Sequence, residues 1–350
     1  MRISKKKPHE VKQVALFAPP NCTGNSGVVG DTVLQTSLVR SLLDRSLFPN
    51  LQKVHWWGAK SIIDLLFKYS STQVNTYEWD GKAKSTPSAH SVNSKHMDIA
   101  LICTRDRIAI DTLKRKLTKL PCYIPDPPLD AQSSNHLCSQ LHTCLSLLDV
   151  RVTDTPRPRI IINEEEIAEA RKSLKPKYLE KLSSEVVQGE QDFYPDYDKI
   201  FLVSSSVGAV EDPRTWSRIS WKRLVRLLSA VGPVVVVYNP KDNAEKRAAE
   251  DIVAGEISFK PRFAVGLNLR ELAAWSCVST VVIARDSGPM HVVSATVGPN
   301  GMPQVLGLVS VMHPSTWKPL SDNFHSMGEW PLPLEDCLSP REVAVKASHM

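Results

Sequence analysis

The sequence lacks the long apolar runs that mark membrane proteins and exported proteins. No stretch of its 350 residues approaches the ~18 to 20 unbroken apolar residues that a membrane-spanning helix needs. The N-terminal segment "MRISKKKPHEVKQ" is basic, but the apolar run after it, "VALFAPP", is too short for the core of a signal peptide and is typical of a strand. With 42% hydrophobic and 23% charged residues, we expect an ordinary soluble protein of the cytoplasm.

Cysteines at metal-binding or redox spacing are also missing. The seven cysteines are an odd number and include no C-x-x-C pair, which favours reduced thiols. Cys138, His142 and Cys144 come nearest to a metal cluster, but the first two lie at i and i+4 of a predicted helix and Cys144 points elsewhere. We therefore expect no metal site.

A nucleic-acid signature is absent as well. The net charge of +6 is mild, and neither a zinc finger nor an aromatic RNA-binding motif accompanies it. We expect no nucleic-acid partner. A basic surface of this size favours phosphorylated ligands or anionic lipid head groups.

The sequence does contain a regular alternation of strand-like and helix-like segments. Such alternation predicts right-handed βαβ units and parallel sheets. It is interrupted by a polar, proline-containing stretch and restarts near residue 199. We predict two doubly wound α/β domains facing across a cleft, with ligands beyond the carboxyl ends of the strands. The predicted bounds are 1–160, a linker of 161–198, and 199–350, whose last helix is a candidate to pack back on the first domain.

The first segment that is a candidate for binding or catalysis is "NCTGNSGVVGDTVLQTSLVRSLL" at residues 21–43. It follows a predicted strand and opens a predicted helix. Gly24, Gly27 and Gly30 allow a positive-φ backbone, but their spacing is not the dinucleotide fingerprint and no Walker lysine follows. Asp31 stands at or just before the predicted helix start. A carboxylate there is either a plain N-cap or a general base, and the segment alone leaves both open.

The second segment is "FLVSSSVGAVEDPRTWSRISWKRL" at residues 201–224. Here a strand ends in consecutive serines, including Ser205 and Ser206, and a loop with Arg214 follows. Hydroxyls, loop amides and an arginine suit a diphosphate, because arginine binds phosphate oxygens bidentately and keeps its charge. An ordinary polar loop, with a helix capped at Ser220, is the alternative.

The third segment, "TVVIARDSGPMH" at residues 280–291, ends an apolar strand abruptly in charged and small residues. Ser287 and Gly288 are placed to begin a helix, whose amides and dipole form an anion site. Asp286 cannot hold phosphate, because like charges repel, so we expect it to face hydroxyl donors such as those of a sugar. His291 falls on the first helical turn, where a structural role is the alternative to binding.

Four stretches together resemble a known family, in order over residues 24 to 320. They are "GDTVLQTSLVRSL", "RTWSRISWKRL", "RDSGPMHVVSATVGPNGMPQVLGL" and "HPSTWKPL". They are similar to motifs of glycosyltransferase family nine, the ADP-heptose:lipopolysaccharide heptosyltransferases.

The resemblance implies a GT-B fold and an inverting, metal-independent transfer of heptose from ADP-L-glycero-D-manno-heptose to a hydroxyl of a lipopolysaccharide core or related glycan. It makes Asp31 the catalytic base and puts Gly30 beside the acceptor. Within the donor site, it gives the diphosphate to serines, an arginine and helix amides, the heptose hydroxyls to Asp286 and the adenosine to Asp242. The implied donor-binding residues are Ser205, Ser206, Arg214, Asp242, Asp286, Ser287, Gly288 and His291. No cofactor is implied.

The chain departs from the family pattern in several places. Arg214 stands where the family has lysine, Ser217 follows the tryptophan in place of proline, and Thr36–Ser37 replaces Thr–Pro. Another nucleotide sugar, a protein acceptor, an epimerase reaction and a non-catalytic nucleotide-binding module therefore stay open as alternatives. The basic stretches "MRISKKK" and "DTLKRKLTK" are candidates for peripheral contact with the inner membrane, with solvated surface as the alternative.

Overall fold

The computed structural model describes residues 6–19, 28–67, 73–88, 92, 95–126, 129, 135–152, 157–173, 199–206, 212–255, 262–311 and 317–350. The chain divides into two compact units. The first contains Met1–Arg159 with Ser315–Lys318, and the second contains Ile160–Pro314 with Pro319–Met350. Each unit has a parallel β-sheet with helices between its strands, so the α/β class predicted from the sequence is confirmed.

The first unit is built on a five-stranded sheet in the order β3-β2-β1-β4-β5, in which every neighbouring pair is parallel. Phe17, Trp57 and Tyr77 stand at matching register positions on three strands and stack on one another. Its strands are β1 (Gln13–Phe17), β2 (Lys53–Gly58), β3 (Val74–Glu78), β4 (Ile99–Ile102) and β5 (Cys122–Tyr123). Its helices are α1 (Val28–Leu43), α2 (Lys60–Leu66), α3 (Arg107–Lys116) and α4 (Leu137–Ser146), with 3-10 turns at Pro8–Glu10 and Ala83–Ser85.

The second unit is built on a six-stranded parallel sheet in the order β13-β12-β10-β7-β8-β9. Its central strands are buried on both faces, as in β8 with its sequence VVVVY, which is expected of a parallel sheet covered by helices. The six strands are β7 (Phe201–Ser204), β8 (Val234–Tyr238), β9 (Arg262–Gly266), β10 (Val281–Arg285), β12 (Gln304–Leu308) and β13 (Phe324–Met327). The helices are α6 (Arg218–Ser229), α7 (Asn243–Val253), α8 (Leu269–Val278), α9 (Gly288–Ala295), α10 (Leu334–Cys337) and α11 (Pro340–His349).

Part of the stretch that the sequence places in a linker is regular structure of the second unit. The strands β6 (Ile160–Ile161) and β11 (Thr296–Val297) pair in parallel, and α5 (Glu164–Ser173) packs on α8. Glu166 of α5 forms a partly buried ion pair with Arg270, with Nε–Oε1 at 2.7 Å. Residues 161–173 therefore belong to the fold of this unit, while 174–198 lie outside the described residues. The last helix, α11, packs against α6 of the same unit.

The strand order defines a topological switch point in the sheet of the second unit. From β7 the chain proceeds through β8 and β9 to one side, whereas β10, β12 and β13 lie on the other. The carboxyl ends of β7 and β10 therefore flank the topological switch point, at which open α/β sheets form a crevice. None of the helices within the described ranges combines the length and apolarity needed to cross a bilayer.

Candidate active site

Two serines follow β7 at the switch point. Ser205 is buried, whereas Ser206 is partly exposed and has a φ of 45°. A positive φ is uncommon for a residue with a side chain, so this backbone conformation needs support from neighbouring groups. The turn directs the Ser206 carbonyl toward the arginine side chain that ends β10.

The loop before α6 holds Arg214 through a carboxylate that the sequence analysis did not select. Asp212 accepts hydrogen bonds from Arg214 Nε and Nη2, both at 2.9 Å, and from its backbone N at 3.0 Å. Burial raises the pKa of Asp212, but the bonds from Arg214 and the charges of Arg214 and Arg285 outweigh it and lower the pKa to about 2. The ionised carboxylate therefore fixes one edge of the Arg214 guanidinium.

Trp216 ties this loop to the body of the unit. Its side chain is buried, and its Nε1 donates to the carbonyls of Leu334 and Leu338 at 3.2 and 3.0 Å. The helix that follows begins at Arg218, with Ser217 as its N-cap, so the predicted cap at Ser220 is wrong. Glu335 explains the difference, because it accepts bonds from the Ser217 amide and from both serine hydroxyls.

Arg285 is the last residue of β10 and joins the parts of the site. Its Nη1 donates to Asp212 Oδ2 at 2.9 Å, and its Nη2 donates to the Ser206 carbonyl at 3.0 Å. The side chain is only 9% exposed. Arg285 and Arg214 thus share one carboxylate, and two cations lie at the carboxyl edge of the sheet.

The N-terminus of α9 lies beside these arginines. Ser287 occupies the N-cap position, and its hydroxyl donates to the Arg285 carbonyl at 3.1 Å instead of capping the helix amides. Pro289 falls in the first turn, where it is tolerated because its missing N–H has no helical partner there. The amide of Gly288 and the helix dipole therefore favour an anion at this end.

Asp286 precedes this helix and is almost completely buried. Its amide donates to the Leu308 carbonyl at 3.0 Å, which orients the residue, while Oδ2 has no hydrogen-bond partner within the described part of the chain. Burial raises the pKa of Asp286, and the charges of Arg214 and Arg285 oppose that rise. A buried carboxylate oxygen without a donor is rare in a folded protein, because burial of an unpaired polar group costs free energy.

Other buried polar residues surround α9. His291 lies on its first turn and is 5% exposed. Ser310, just beyond β12, is fully buried, and its hydroxyl has no hydrogen-bond partner among the described residues. Ser310 is not among the sequence-predicted site residues, although it follows an apolar strand just as Ser205 does.

Asp242 follows β8 at the same edge of the sheet. It is the N-cap of α7, and its Oδ1 accepts bonds from the amides of Ala244 and Glu245 at 2.8 and 3.1 Å. The structure thus gives this carboxylate a capping role that the sequence analysis did not assign to it.

In the first unit, Asp31 and Gly30 both lie inside α1. The helix begins at Val28, so Asp31 is its fourth residue and not its N-cap, contrary to the sequence prediction. Asp31 is 1% exposed, although it is charged and belongs to the first turn. The helix dipole favours a carboxylate there. Gly24 and Gly27 lie outside the described residues.

No group of three or more His, Cys, Asp or Glu side chains in the described ranges is arranged to hold a metal ion. The six cysteines of those ranges are free thiols, and burial raises the pKa of Cys138 to about 12.

Solved structures of glycosyltransferases share this architecture. The glycosyl transferase family 9 protein of Veillonella parvula DSM 2008 is 16% identical, with a TM-score of 0.68 over 99% of this chain and 98% of that one. The ADP-heptose lps heptosyltransferase II of E. coli is 15% identical, with a TM-score of 0.64 over 96% and 98%. The E. coli heptosyltransferase WaaC with ADP-2-deoxy-2-fluoro heptose is 11% identical, with a TM-score of 0.57 over 96% and 99%. No curated protein matches the chain.

These likenesses define the class: the chain has the GT-B fold, with two Rossmann-like domains. The particular family follows from the sequence. The family model of glycosyltransferase family 9 (heptosyltransferase) matches residues 157–343. This range includes all the residues described at the switch point. The chain therefore belongs to this family and is a glycosyltransferase, as the motif resemblance predicts.

Proposed function

We propose that the protein is an inverting, metal-independent glycosyltransferase that moves a heptose from ADP-L-glycero-D-manno-heptose to a hydroxyl of a lipopolysaccharide core or a related glycan. The observation that carries the proposal is the cluster at the switch point of the second sheet. There, two arginines and a helix N-terminus lie beside a buried carboxylate whose Oδ2 lacks a donor within the described residues.

The cationic part of the cluster suits the diphosphate of the donor. Arg214 is held at its Nε–Nη2 edge by Asp212, which orients the guanidinium plane. We assign diphosphate oxygens to Arg214, to the hydroxyls of Ser205 and Ser206, and to the amides of Ser287 and Gly288. The same groups would stabilise the departing nucleoside diphosphate, on which negative charge develops as the glycosidic bond breaks.

The buried carboxylate suits the sugar. Asp286 Oδ2 can accept from a heptose hydroxyl, and His291 lies on the adjoining helical turn. We place Asp242 beside the adenosine, through Oδ2, since Oδ1 already caps α7. Two of the similar E. coli structures hold ADP or an ADP-heptose analogue, which supports this choice of nucleotide.

The first unit supplies the base and the acceptor contacts in this proposal. Asp31 would take the proton from the acceptor hydroxyl as that oxygen attacks the anomeric carbon from the side opposite the diphosphate, which inverts the configuration. Gly30 precedes it on the same helical turn, where the lack of a side chain suits close approach of an acceptor.

Peripheral contact with the cytoplasmic face of the inner membrane is also part of the proposal. Helix α3 buries Ala109, Ile110 and Leu113, whereas Arg107, Lys114 and Arg115 are exposed. Ile108 lies among these cations and is 67% exposed. Clustered basic residues of this kind attract anionic lipid head groups.

The first experiment is a thermal-shift panel of ADP-heptose, ADP, UDP-glucose, GDP-mannose and dTDP-rhamnose in the presence of a metal chelator. We expect stabilisation by ADP and ADP-heptose only. Arg214→Met should weaken the binding of ADP about 10- to 100-fold, because a charge-assisted hydrogen bond contributes about 1.5 to 3 kcal/mol. A response to another nucleotide sugar would replace the donor, and no response at all would contradict the proposal.

The second experiment separates catalysis from binding. Asp31→Asn should leave ADP-heptose binding nearly intact while reducing ADP release with a deacylated lipopolysaccharide core by about 10²- to 10⁴-fold, the usual worth of a general base. The matched control is Asp44→Asn, which alters an exposed carboxylate just beyond the other end of α1. Equal turnover in the two variants would remove Asp31 from the mechanism.

A further inference from the structure

The pairing of Asp212 with two arginines points to a role that the family motifs do not assign to it. Asp212 accepts three side-chain bonds, two from Arg214 and one from Arg285, each at 2.9 Å. The exposed fraction falls from 25% for the Arg214 side chain to 11% for Asp212 and 9% for Arg285. The three groups thus form a chain that runs from the buried end of β10 to a more accessible guanidinium.

Each of these three charged groups is held in place by a neighbouring one. Asp212 and Arg214 are only two residues apart in one loop, so their pairing alone would not fix the loop relative to the sheet. Arg285 supplies that link, because it belongs to a central strand whose last register partner is Leu308 on β12. Its second bond, to the Ser206 carbonyl, supports the positive-φ turn at the end of β7.

We propose that Asp212 and Arg285 form a brace that positions Arg214 and the Ser206 turn for a nucleoside diphosphate. They are positioning residues, and the diphosphate itself contacts Arg214. The proposal deepens the proposed function and rests on it. In this proposal the brace holds the Arg214 guanidinium in the orientation in which arginine binds two phosphate oxygens at once.

The brace makes a prediction opposite in sign to that of simple electrostatics. A carboxylate beside an anion site repels a diphosphate, so removal of its charge alone would tighten ADP binding. Asp212→Asn keeps the size of the side chain but replaces one acceptor oxygen with an amide donor, which cannot pair with both guanidinium groups. We expect ADP affinity, measured by calorimetry, to fall about 10-fold, as is common when a positioning partner is lost.

A matched control exists in the same unit. Glu166 holds Arg270 with the same two-bond geometry, Nε–Oε1 at 2.7 Å and Nη2–Oε2 at 2.8 Å, and the arginine is again 9% exposed. Glu166→Gln should lower the thermal midpoint as Asp212→Asn does, yet keep ADP affinity within about twofold of the unaltered chain.

A double-mutant cycle tests whether Asp212 acts through Arg214. In an Arg214→Met background, Asp212→Asn should change ADP affinity by less than about twofold. If Asp212→Asn does not fold, Arg285→Lys takes its place, since lysine keeps the charge but cannot bridge Asp212 and the Ser206 carbonyl with a planar fork. A loss of about 10-fold is again expected, and in the Arg214→Met background it should shrink without vanishing, because Arg285 also holds the Ser206 carbonyl.

The outcomes separate the brace from the proposed function. If the unaltered chain binds ADP and Asp212→Asn binds it equally or more tightly, the brace is wrong and the proposed function stands. If Asp212→Asn lowers the affinity for ADP equally with Arg214 and with Met at that position, the brace is also wrong. If the unaltered chain does not bind ADP, the proposed function fails, and the brace fails with it.

Discussion

The anchoring of the Arg214 loop can be tested by a pair of tryptophan substitutions. Trp216 and Trp221 are both buried, and their rings contact each other edge to face at 5.1 Å between centroids. Trp216 Nε1 donates to the carbonyls of Leu334 and Leu338, whereas Trp221 Nε1 donates to the Thr215 hydroxyl at 3.0 Å. Replacement of either by phenylalanine removes the same atoms but leaves different groups without a donor.

The expected loss of stability in each variant depends on the groups that lose their donor. Either substitution leaves a cavity the size of part of an indole, for which we expect about 1 to 2 kcal/mol. In Trp216→Phe the Leu334 carbonyl keeps the amide of Leu338 as a donor, at 3.2 Å, but the buried Leu338 carbonyl loses its indole donor. An unsatisfied buried acceptor costs about 1 to 3 kcal/mol. The Thr215 hydroxyl is partly exposed and can bond water instead.

We therefore expect Trp216→Phe to lower the free energy of unfolding by about 2 to 5 kcal/mol and Trp221→Phe by about 1 to 2 kcal/mol. The assay is urea unfolding followed by far-ultraviolet circular dichroism, because both substitutions alter tryptophan fluorescence. Each variant serves as the volume control for the other. If Trp221→Phe is at least as destabilising as Trp216→Phe, the argument from the unsatisfied carbonyl is wrong.

Two further predictions concern packing and pH. A Cβ on Gly307 would lie less than 3.0 Å from the Phe324 ring, so Gly307→Ala should cost about 1 to 3 kcal/mol by the same urea assay. Gly301→Ala, which meets no atom within 4 Å but has a φ of 106°, should cost about 1 to 2 kcal/mol of backbone strain, and a larger loss at Gly301 than at Gly307 would contradict the steric account. Because the pKa of Asp212 falls from 3.8 to about 2 on folding, its ionisation stabilises the fold above pH 3.8, by about 2 kcal/mol, and this is lost as the pH falls toward 2. The difference in unfolding free energy between the unaltered chain and Asp212→Asn should therefore narrow as the pH falls from about 4 toward 2. A difference that does not change with pH would exclude this linkage.

The fold could be predicted because its determinants are local. Strands such as β8 and β10 are short apolar runs, and amphipathic helices separate them, so the α/β class follows from periodicity and order alone. The helix after β10 could also be placed, since Ser287 and Gly288 break the strand and begin α9 where the sequence puts them. In both cases the relevant residues are neighbours in the sequence.

Helix starts were harder to predict because distant groups decide them. Ser217 and Ser220 are both competent N-caps, and the choice between them depends on Glu335, more than 110 residues away. Asp31 is a favourable cap residue in isolation, but α1 begins three residues earlier, at Val28. Local propensity alone does not contain this information.

The missed residues of the site share the same cause. Arg285 and Asp212 are 73 residues apart, and their pairing exists only because β10 lies next to β7 in the sheet. Both residues lie within the motif segments at 201–224 and 280–291, and a charged residue at the end of a buried strand is the signal that points to Arg285. Its partner could not be read from the sequence.

The two carboxylates of the cluster show how similar surroundings produce different chemistry. The same two arginines favour ionisation of both Asp212 and Asp286, yet the pKa of Asp212 is lowered and that of Asp286 is raised. The difference lies in burial and hydrogen bonding. Asp212 receives three side-chain bonds from the arginines, whereas Asp286 is more deeply buried and its Oδ2 has no donor within the described part of the chain. In the proposed reaction a donor-sugar hydroxyl supplies that missing bond, which would lower the pKa of Asp286, so the sugar itself would complete the ionised site.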